Sequence, residues 1–159
     1  MSIRLNYPQL SSEAYQSLLA LSETQKNYSI DRSLIELVKI RVSQLNGCLF
    51  CLDLHIKEAR TLGERELRIH HLSIWHESSL FTEKEKAALE WAELLTRFNS
   101  KGVEDAEFDK ARTFFSEKEL SDLTFAIGII NMWNRFGVAF RNKPGSLDKI
   151  FGVDKIGLV

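Results

Sequence analysis

Two prolines, two cysteines and eight glycines are all that 159 residues hold of the types that break, staple or loosen a chain. So few breakers exclude a Pro/Gly-rich or low-complexity organisation and leave helices room to run. Two cysteines are too few for the disulfide framework of a small secreted scaffold. The charges nearly cancel, for a formal net charge of -1, so there is no electrostatic reason to expect nucleic acid or an anionic membrane as partner. Long apolar runs are also missing. The most apolar stretch, LTFAIGIINMWNRFGVAF, is interrupted by Asn131, Asn134 and Arg135 and is too short to span a bilayer. The opening MSIRLNYPQLSSEAYQ lacks the apolar run of a signal peptide. The expectation is a cytoplasmic protein. In that reducing compartment a close cysteine pair is catalytic, redox-sensing or metal-binding rather than a static staple.

What is present reads as one soluble domain. Hydrophobic residues make up 44% and charged residues 27%, and no composition shift or internal repeat divides residues 1–159. No segment alternates in the manner of a strand, whereas helix signals recur throughout. Ser11 or Ser12 is placed to cap EAYQSLLALSE, and Asp31 to cap RSLIELVKIRVSQL, which stops at Asn46-Gly47. CLFCLDLHIKEARTLG reads as a helix closing at Gly63. Thr82 with Glu85 and Ser116 with Glu119 are capping boxes, opening EKEKAALEWAELLTRF and KELSDLTFAIGIINMWNRFGVAF. Segments around EREL and VEDAEFDKARTFF fill the gaps. The expected fold is all-α with about seven helices and a tail, residues 144–159, that is extended or laid as an arm over a neighbour.

Both cysteines sit in one stretch, NGCLFCLDLH. In a helix over residues 48–60, Cys48 and Cys51 are i,i+3 neighbours and Cys51 and His55 are i,i+4 neighbours, so all three share a stripe. A free thiol has its pKa near about 8.5, and its reactive form is the thiolate. The helix N-terminus after Gly47 favours charge on Cys48, while the His55 imidazole can take a proton from Cys51. These two arguments name different attacking sulfurs, and the residues alone leave that open. Either sulfur, once oxidised to a sulfenic acid, leaves the other placed to close a disulfide. Zinc would need His55 and one of His70, His71 or His76 beside the cysteines, and the chain has no second Cys-x-x-Cys or spaced His pair, so no metal and no cofactor is expected. His70 and His71 read as surface residues, and Trp75, Trp91 and Trp133 as core or interface.

Glu36 is the fourth candidate. It shares a polar stripe with Arg32, Lys39 and Ser43, yet Leu34, Ile35, Leu37, Val38, Ile40 and Val42 cover most of the rest of that helix. A helix so apolar is largely buried, and a buried carboxylate needs a partner. The turn at Asn46-Gly47 folds this helix against the cysteine helix and can bring Glu36 near Cys48.

The core motif over residues 31–61, with IELVKIRVSQLNGCLFCLDLHIKEAR at its centre, resembles the signature of the AhpD-like alkylhydroperoxidase branch of the carboxymuconolactone decarboxylase superfamily. That branch carries a glutamate, eleven intervening residues, Cys-x-x-Cys, three more residues and a histidine, matched here by Glu36, Cys48, Cys51 and His55. The likeness continues through LSIWHESSLFTEKEKAALEWAELLT and FSEKELSDLTFAIGIINMWNRFGVAFR. It implies a helical homo-oligomer, trimer or hexamer, and a peroxidase reducing hydroperoxides through a Cys48–Cys51 disulfide. It further implies that Cys51 attacks the peroxide, that Cys48 donates a proton and then resolves, and that Glu36 serves Cys48 while His55 serves Cys51. A thiol or dithiol protein would supply the electrons. Phe50 stands where AhpD itself has a histidine, so that enzyme's full relay and dedicated reductant are not carried over. The competing readings are a thiol–disulfide relay, a redox- or metal-switched oligomeric module and a lactone decarboxylase, the last requiring cations such as Arg135 in a pocket.

Overall fold

The computed structural model describes residues 2–156. It is helical, with nine α-helices and no strand among the described residues: α1 (Tyr7–Leu10), α2 (Ser12–Glu23), α3 (Arg32–Asn46), α4 (Leu49–Thr61), α5 (Glu66–His71), α6 (Glu83–Thr96), α7 (Asp105–Arg112), α8 (Glu117–Phe140) and α9 (Asp148–Phe151). Short 3-10 turns at Thr24–Asn27 and Leu72–Glu77 complete the path. No helix among the described residues is long and apolar enough to cross a membrane.

The helices begin where capping chemistry says they should. Asp31 accepts the backbone N–H groups of Ser33 and Leu34 at the start of α3, offsetting donors that have no partner within the helix. Thr82 and Ser116 form reciprocal capping boxes with Glu85 and Glu119, opening α6 and α8. A third box, Glu104 with Glu107, opens α7; its cap is a glutamate, outside the usual Ser/Thr pattern, and so escapes a sequence scan.

α3 is the centre of the molecule and packs against α4, α6 and α8. Leu37, Val38, Ile40 and Val42 have no exposure at all, as expected for a helix covered on nearly every side. Asp122 of α8 accepts the backbone N–H and the hydroxyl of Ser29 at 2.8 and 2.9 Å, fixing the entrance of α3 against α8. α3 ends at Gly47, which takes the left-handed conformation at φ 65° that a side chain would oppose. The Gly47 N–H then reaches the Gln44 carbonyl and the Cys48 N–H reaches the Ser43 carbonyl at 3.0 Å, a Schellman closure.

The residues after Pro144, expected to be extended or laid as an arm over a neighbour, fold back on their own chain. Asp148–Phe151 forms the short α9, and Val153 is buried. Lys57 of α4, itself buried, holds this segment by ion pairs to Asp148 at 2.8 Å and Asp53 at 2.7 Å, and Asp53 also accepts the Gly145 N–H. The end of the expected tail, residues 157–159, lies outside the described residues.

Candidate active site

The cap that closes α3 also starts the next helix. Cys48 is the N-cap of α4 rather than its first turn, with extended backbone at φ -91° and ψ 91°. The expected helix over residues 48–60 therefore begins one residue late, because the Gly47 turn leaves Cys48 outside helical geometry. In that position the Cys48 sulfur accepts the Cys51 backbone N–H at 3.4 Å. The two sulfurs lie 2.8 Å apart, both thiols are free, and each residue is only 2% exposed.

This contact divides the two thiols. Hydrogen bonding from Cys51 brings the Cys48 thiol down to about 7; burial opposes the shift, and the Cys51 N–H, Asn134 and the charge on His55 assist it. The same contact, reinforced by burial, pushes the Cys51 thiol far up. The pair therefore gives up its first proton near neutrality and keeps the second, so one proton is shared between the sulfurs.

Glu36 and His55 meet each other instead of the cysteines. The Glu36 carboxylate receives the His55 Nδ1 at 2.9 Å and the Lys39 ammonium at 2.9 Å, while being 1% exposed. Glu58 lies 2.8 Å from the same Nδ1. Burial works against charge on Glu36, but His55 and Lys39 hold its carboxyl at about 2. Burial also works against charge on His55, and Glu36 with Glu58 outweighs it and pushes the imidazole up. The order Lys39, Glu36, His55, Glu58 alternates in sign when the imidazole is protonated, so each buried charge has an opposite neighbour. An imidazolium cannot remove a proton from Cys51; it can stabilise a thiolate or deliver a proton. No hydrogen bond joins Glu36 or His55 to either sulfur. Glu58, at i+3 from His55, is the residue that sequence reasoning passed over although its spacing was visible.

α8 covers the sulfurs. A Cβ on Gly137 would stand 2.6 Å from the Cys48 sulfur, 3.5 Å from the Cys51 sulfur and 3.7 Å from the Phe50 ring, so this glycine is where α8 makes its closest approach. One turn earlier Asn134, buried at 1%, bonds the Ser43 hydroxyl and Asn46. Neither residue stood out in the sequence. Beside Gly137, Phe136 and Phe140 each stack on Tyr7 at 5.1 Å between centroids, and the Arg4 backbone pairs with the Phe140 carbonyl. The N-terminal segment thus lies along the α8 face that flanks the site.

The remaining candidates are elsewhere. His71 bonds the Ser78 hydroxyl, His76 stacks on Trp75, and Trp75 donates to Glu93. Arg135 is exposed and bonds the Asn131 carbonyl. Among the described residues the metal-ligand type atoms that cluster are those of Glu36, His55 and Glu58, without either sulfur. Lys39 already neutralises Glu36 there, and a cation would have to compete with it.

The profile of the carboxymuconolactone decarboxylase family matches residues 12–94. YdfG of Bacillus subtilis strain 168, an uncharacterized protein, is 40% identical over 146 residues, 92% of this chain and 99% of its own. Among solved structures, a protein of unknown function from Agrobacterium tumefaciens, provisionally placed with the antioxidant defence protein AhpD, is 39% identical with a TM-score of 0.85, over 90% of this chain and 98% of that one. An uncharacterized peroxidase-related protein from Ralstonia eutropha JMP134, with an alkylhydroperoxidase AhpD core, has a TM-score of 0.78 at 16% identity, over 93% of this chain and 76% of that one. That last likeness is one of fold alone.

Proposed function

The chain belongs to the carboxymuconolactone decarboxylase family, in its AhpD-like branch, and on that premise we propose that it is a cytoplasmic thiol peroxidase reducing alkyl hydroperoxides through a Cys48–Cys51 disulfide. The observation that carries this reading is the buried pair of free sulfurs 2.8 Å apart, four residues before a histidine that two carboxylates hold.

The shared proton lets the negative charge sit on either sulfur. With the proton moved to Cys48, the Cys51 thiolate attacks the terminal oxygen of the hydroperoxide, and the O–O bond breaks. Cys51 becomes the sulfenic acid and the alkoxide leaves, taking the Cys48 proton to become the alcohol. The Cys48 thiolate then attacks the Cys51 sulfur, forming the disulfide and expelling hydroxide. His55, held as an imidazolium by Glu36 and Glu58, supplies the proton that turns hydroxide into water. A protein dithiol returns two electrons and protons by thiol–disulfide exchange. We assign the protein to a homo-oligomer, trimer or hexamer, on its branch of the family.

The test is stopped-flow oxidation of the fully reduced protein by a small excess of an alkyl hydroperoxide, followed by tryptophan fluorescence and intact mass. Rapid oxidation with loss of two hydrogens, absent in Cys51→Ser, supports the peroxidase. Oxidation no faster than that of an ordinary thiol overturns it.

A further inference from the structure

The two sides of α8 face different things. Its inner side brings Gly137 against the sulfurs. Its outer side is a stripe in which Glu117, Ser121, Phe125, Gly128, Met132 and Arg135 recur at three- and four-residue intervals, every one of them exposed. Between its charged ends this stripe carries no charge. Phe125 is 54% exposed and Met132 46%, although the opposite side of the same helix is buried. Two open hollows flank Phe125. One, of about 360 Å³, lies between α2 and α8 and is lined by Leu18, Leu21, Ile129 and Met132. The other, of about 370 Å³, lies between α8 and the α6–α7 corner and is lined by Trp91, Phe108 and Leu120. An apolar face of this extent, bounded by charge, marks a place where a partner docks.

Two properties of the stripe point to a second copy of this chain as that partner. The first is charge. The Glu117 side chain is 90% exposed, with the Arg112 guanidinium no nearer than 3.6 Å. Arg135, at the other end, bonds the Asn131 carbonyl and forms no ion pair among the described residues. Glu117 and Arg135 stand about 27 Å apart along the helix axis. A second α8 laid antiparallel over the first, about a two-fold axis midway between those ends, sets each Glu117 beside the partner's Arg135. A parallel pairing would set like charge against like.

The second property is shape. That midpoint falls between Phe125 and Gly128, so each Phe125 faces the part of the partner where the α2–α8 hollow opens. The hollow takes the ring beside Gly128, and at an interaxial separation of about 8–10 Å that position accepts a hydrogen or a methyl alike. Projection and hollow both belong to one face, as an isologous contact requires.

We propose that the outer face of α8 is a two-fold interface between copies of this chain, with each Phe125 in the partner's α2–α8 hollow and each Glu117 paired with the partner's Arg135. This gives the homo-oligomer assigned above one of its faces and rests on that reading. It also narrows the choice, because a trimer closed by a three-fold axis has no two-fold face, whereas a hexamer uses one to join its halves.

The test is sedimentation velocity of the full chain over a dilution series. It compares the native protein with Phe125→Glu, Glu117→Arg, Arg135→Glu and the double variant Glu117→Arg/Arg135→Glu. All three positions are exposed, so the variants should fold, and circular dichroism checks that they do. The native assembly should hold an even number of chains. Phe125→Glu should raise the dissociation constant across this face at least about thirtyfold. Each single charge reversal should raise it roughly fivefold, and the double variant should return it close to the native value, since opposite charges then meet again. An odd number of chains, an assembly that Phe125→Glu leaves unchanged, or a double variant no tighter than the singles overturns this face and leaves the homo-oligomer standing. A native protein that is a monomer throughout overturns both.

Discussion

Gly137 leaves no space for a side chain: a methyl group at that position would stand 2.6 Å from the Cys48 sulfur. Cys48 cannot retreat easily, since its sulfur accepts the Cys51 N–H and its own N–H is tied to the Ser43 carbonyl. Gly137→Ala should therefore cost about 1–3 kcal/mol by overpacking and slow oxidation by hydroperoxide. Gly128 lies on the same helix with nothing within 4 Å of a built Cβ. There the same substitution only raises helix propensity and should stabilise by about 0.5–1 kcal/mol. Thermal denaturation of the two variants, beside their oxidation rates, checks both signs. A neutral Gly137→Ala would show that α8 does not press on the sulfurs.

The thiol pair sets a pH dependence. The first proton leaves near pH 7, so oxidation by hydroperoxide should accelerate as pH rises through about 7 and then level off. The largest contribution to that depressed value is the hydrogen bond from Cys51. Cys51→Ala should therefore move the Cys48 midpoint upward, towards that of an ordinary free thiol. Alkylation rates across pH measure both midpoints. Cys48→Ser, lacking the resolving sulfur, should accumulate a sulfenic acid on Cys51 that a dimedone-type reagent captures. Capture on Cys48 in the Cys51→Ser variant instead would reverse the two roles.

Much of this arrangement is legible in the sequence, and the part that is not has a common cause. The starts of α3, α6 and α8 follow from Asp31, Thr82 and Ser116, because caps act within one turn of chain. The burial of Glu36 follows from the apolar residues around it on α3. Where Glu36 points does not follow. Its partner His55 is 19 residues away, and the choice between His55 and Cys48 depends on how α4 rotates after Gly47. Asn134 reads as an interruption of an apolar run, and Gly137 as a weak point in a helix. Their meaning lies in contacts with residues some 90 positions earlier, Ser43 and Cys48, which no local pattern encodes. The same is true of Lys57 and Asp148, 91 residues apart, which dock onto α4 a tail expected to be extended or laid over a neighbour.

That docking makes its own prediction. The Lys57 side chain is 8% exposed and faces two carboxylates, so Lys57→Ala leaves Asp53 and Asp148 opposed without a cation. The loss should be about 3 kcal/mol. Release of α9 should also appear as faster amide exchange across residues 145–153, ahead of global unfolding. Lys57→Met, which keeps the length but not the charge, separates packing from electrostatics. If both variants exchange as the native protein does, the C-terminal segment is held by its apolar contacts alone.

The cation at His55 depends on two carboxylates with unequal weight, and variants at each should differ. Glu36 is held at about 2 against an ordinary 4.5, so its contribution to stability is present above pH 4.5 and lost as pH falls toward 2. His55 has the opposite sign. Its value is raised above 6.5, so its contribution is full below that pH and lost as pH climbs through the folded value. Glu36→Gln leaves Lys39 and His55 as neighbouring cations without their shared carboxylate, and should cost about 3 kcal/mol while lowering the His55 midpoint. Glu58→Gln removes the more exposed carboxylate and should cost about 1 kcal/mol, with a smaller fall in the same midpoint. In both variants His55 keeps its charge over a narrower pH range and assists the thiolate less, so the pair should titrate at higher pH than in the native protein. NMR titration of the imidazole, read beside thiol alkylation rates, follows the two groups separately. A His55 midpoint that falls while the thiol titration stays fixed would break the electrostatic link between them. It would leave His55 to act only after the peroxide bond has broken, as the proton source for the departing hydroxide.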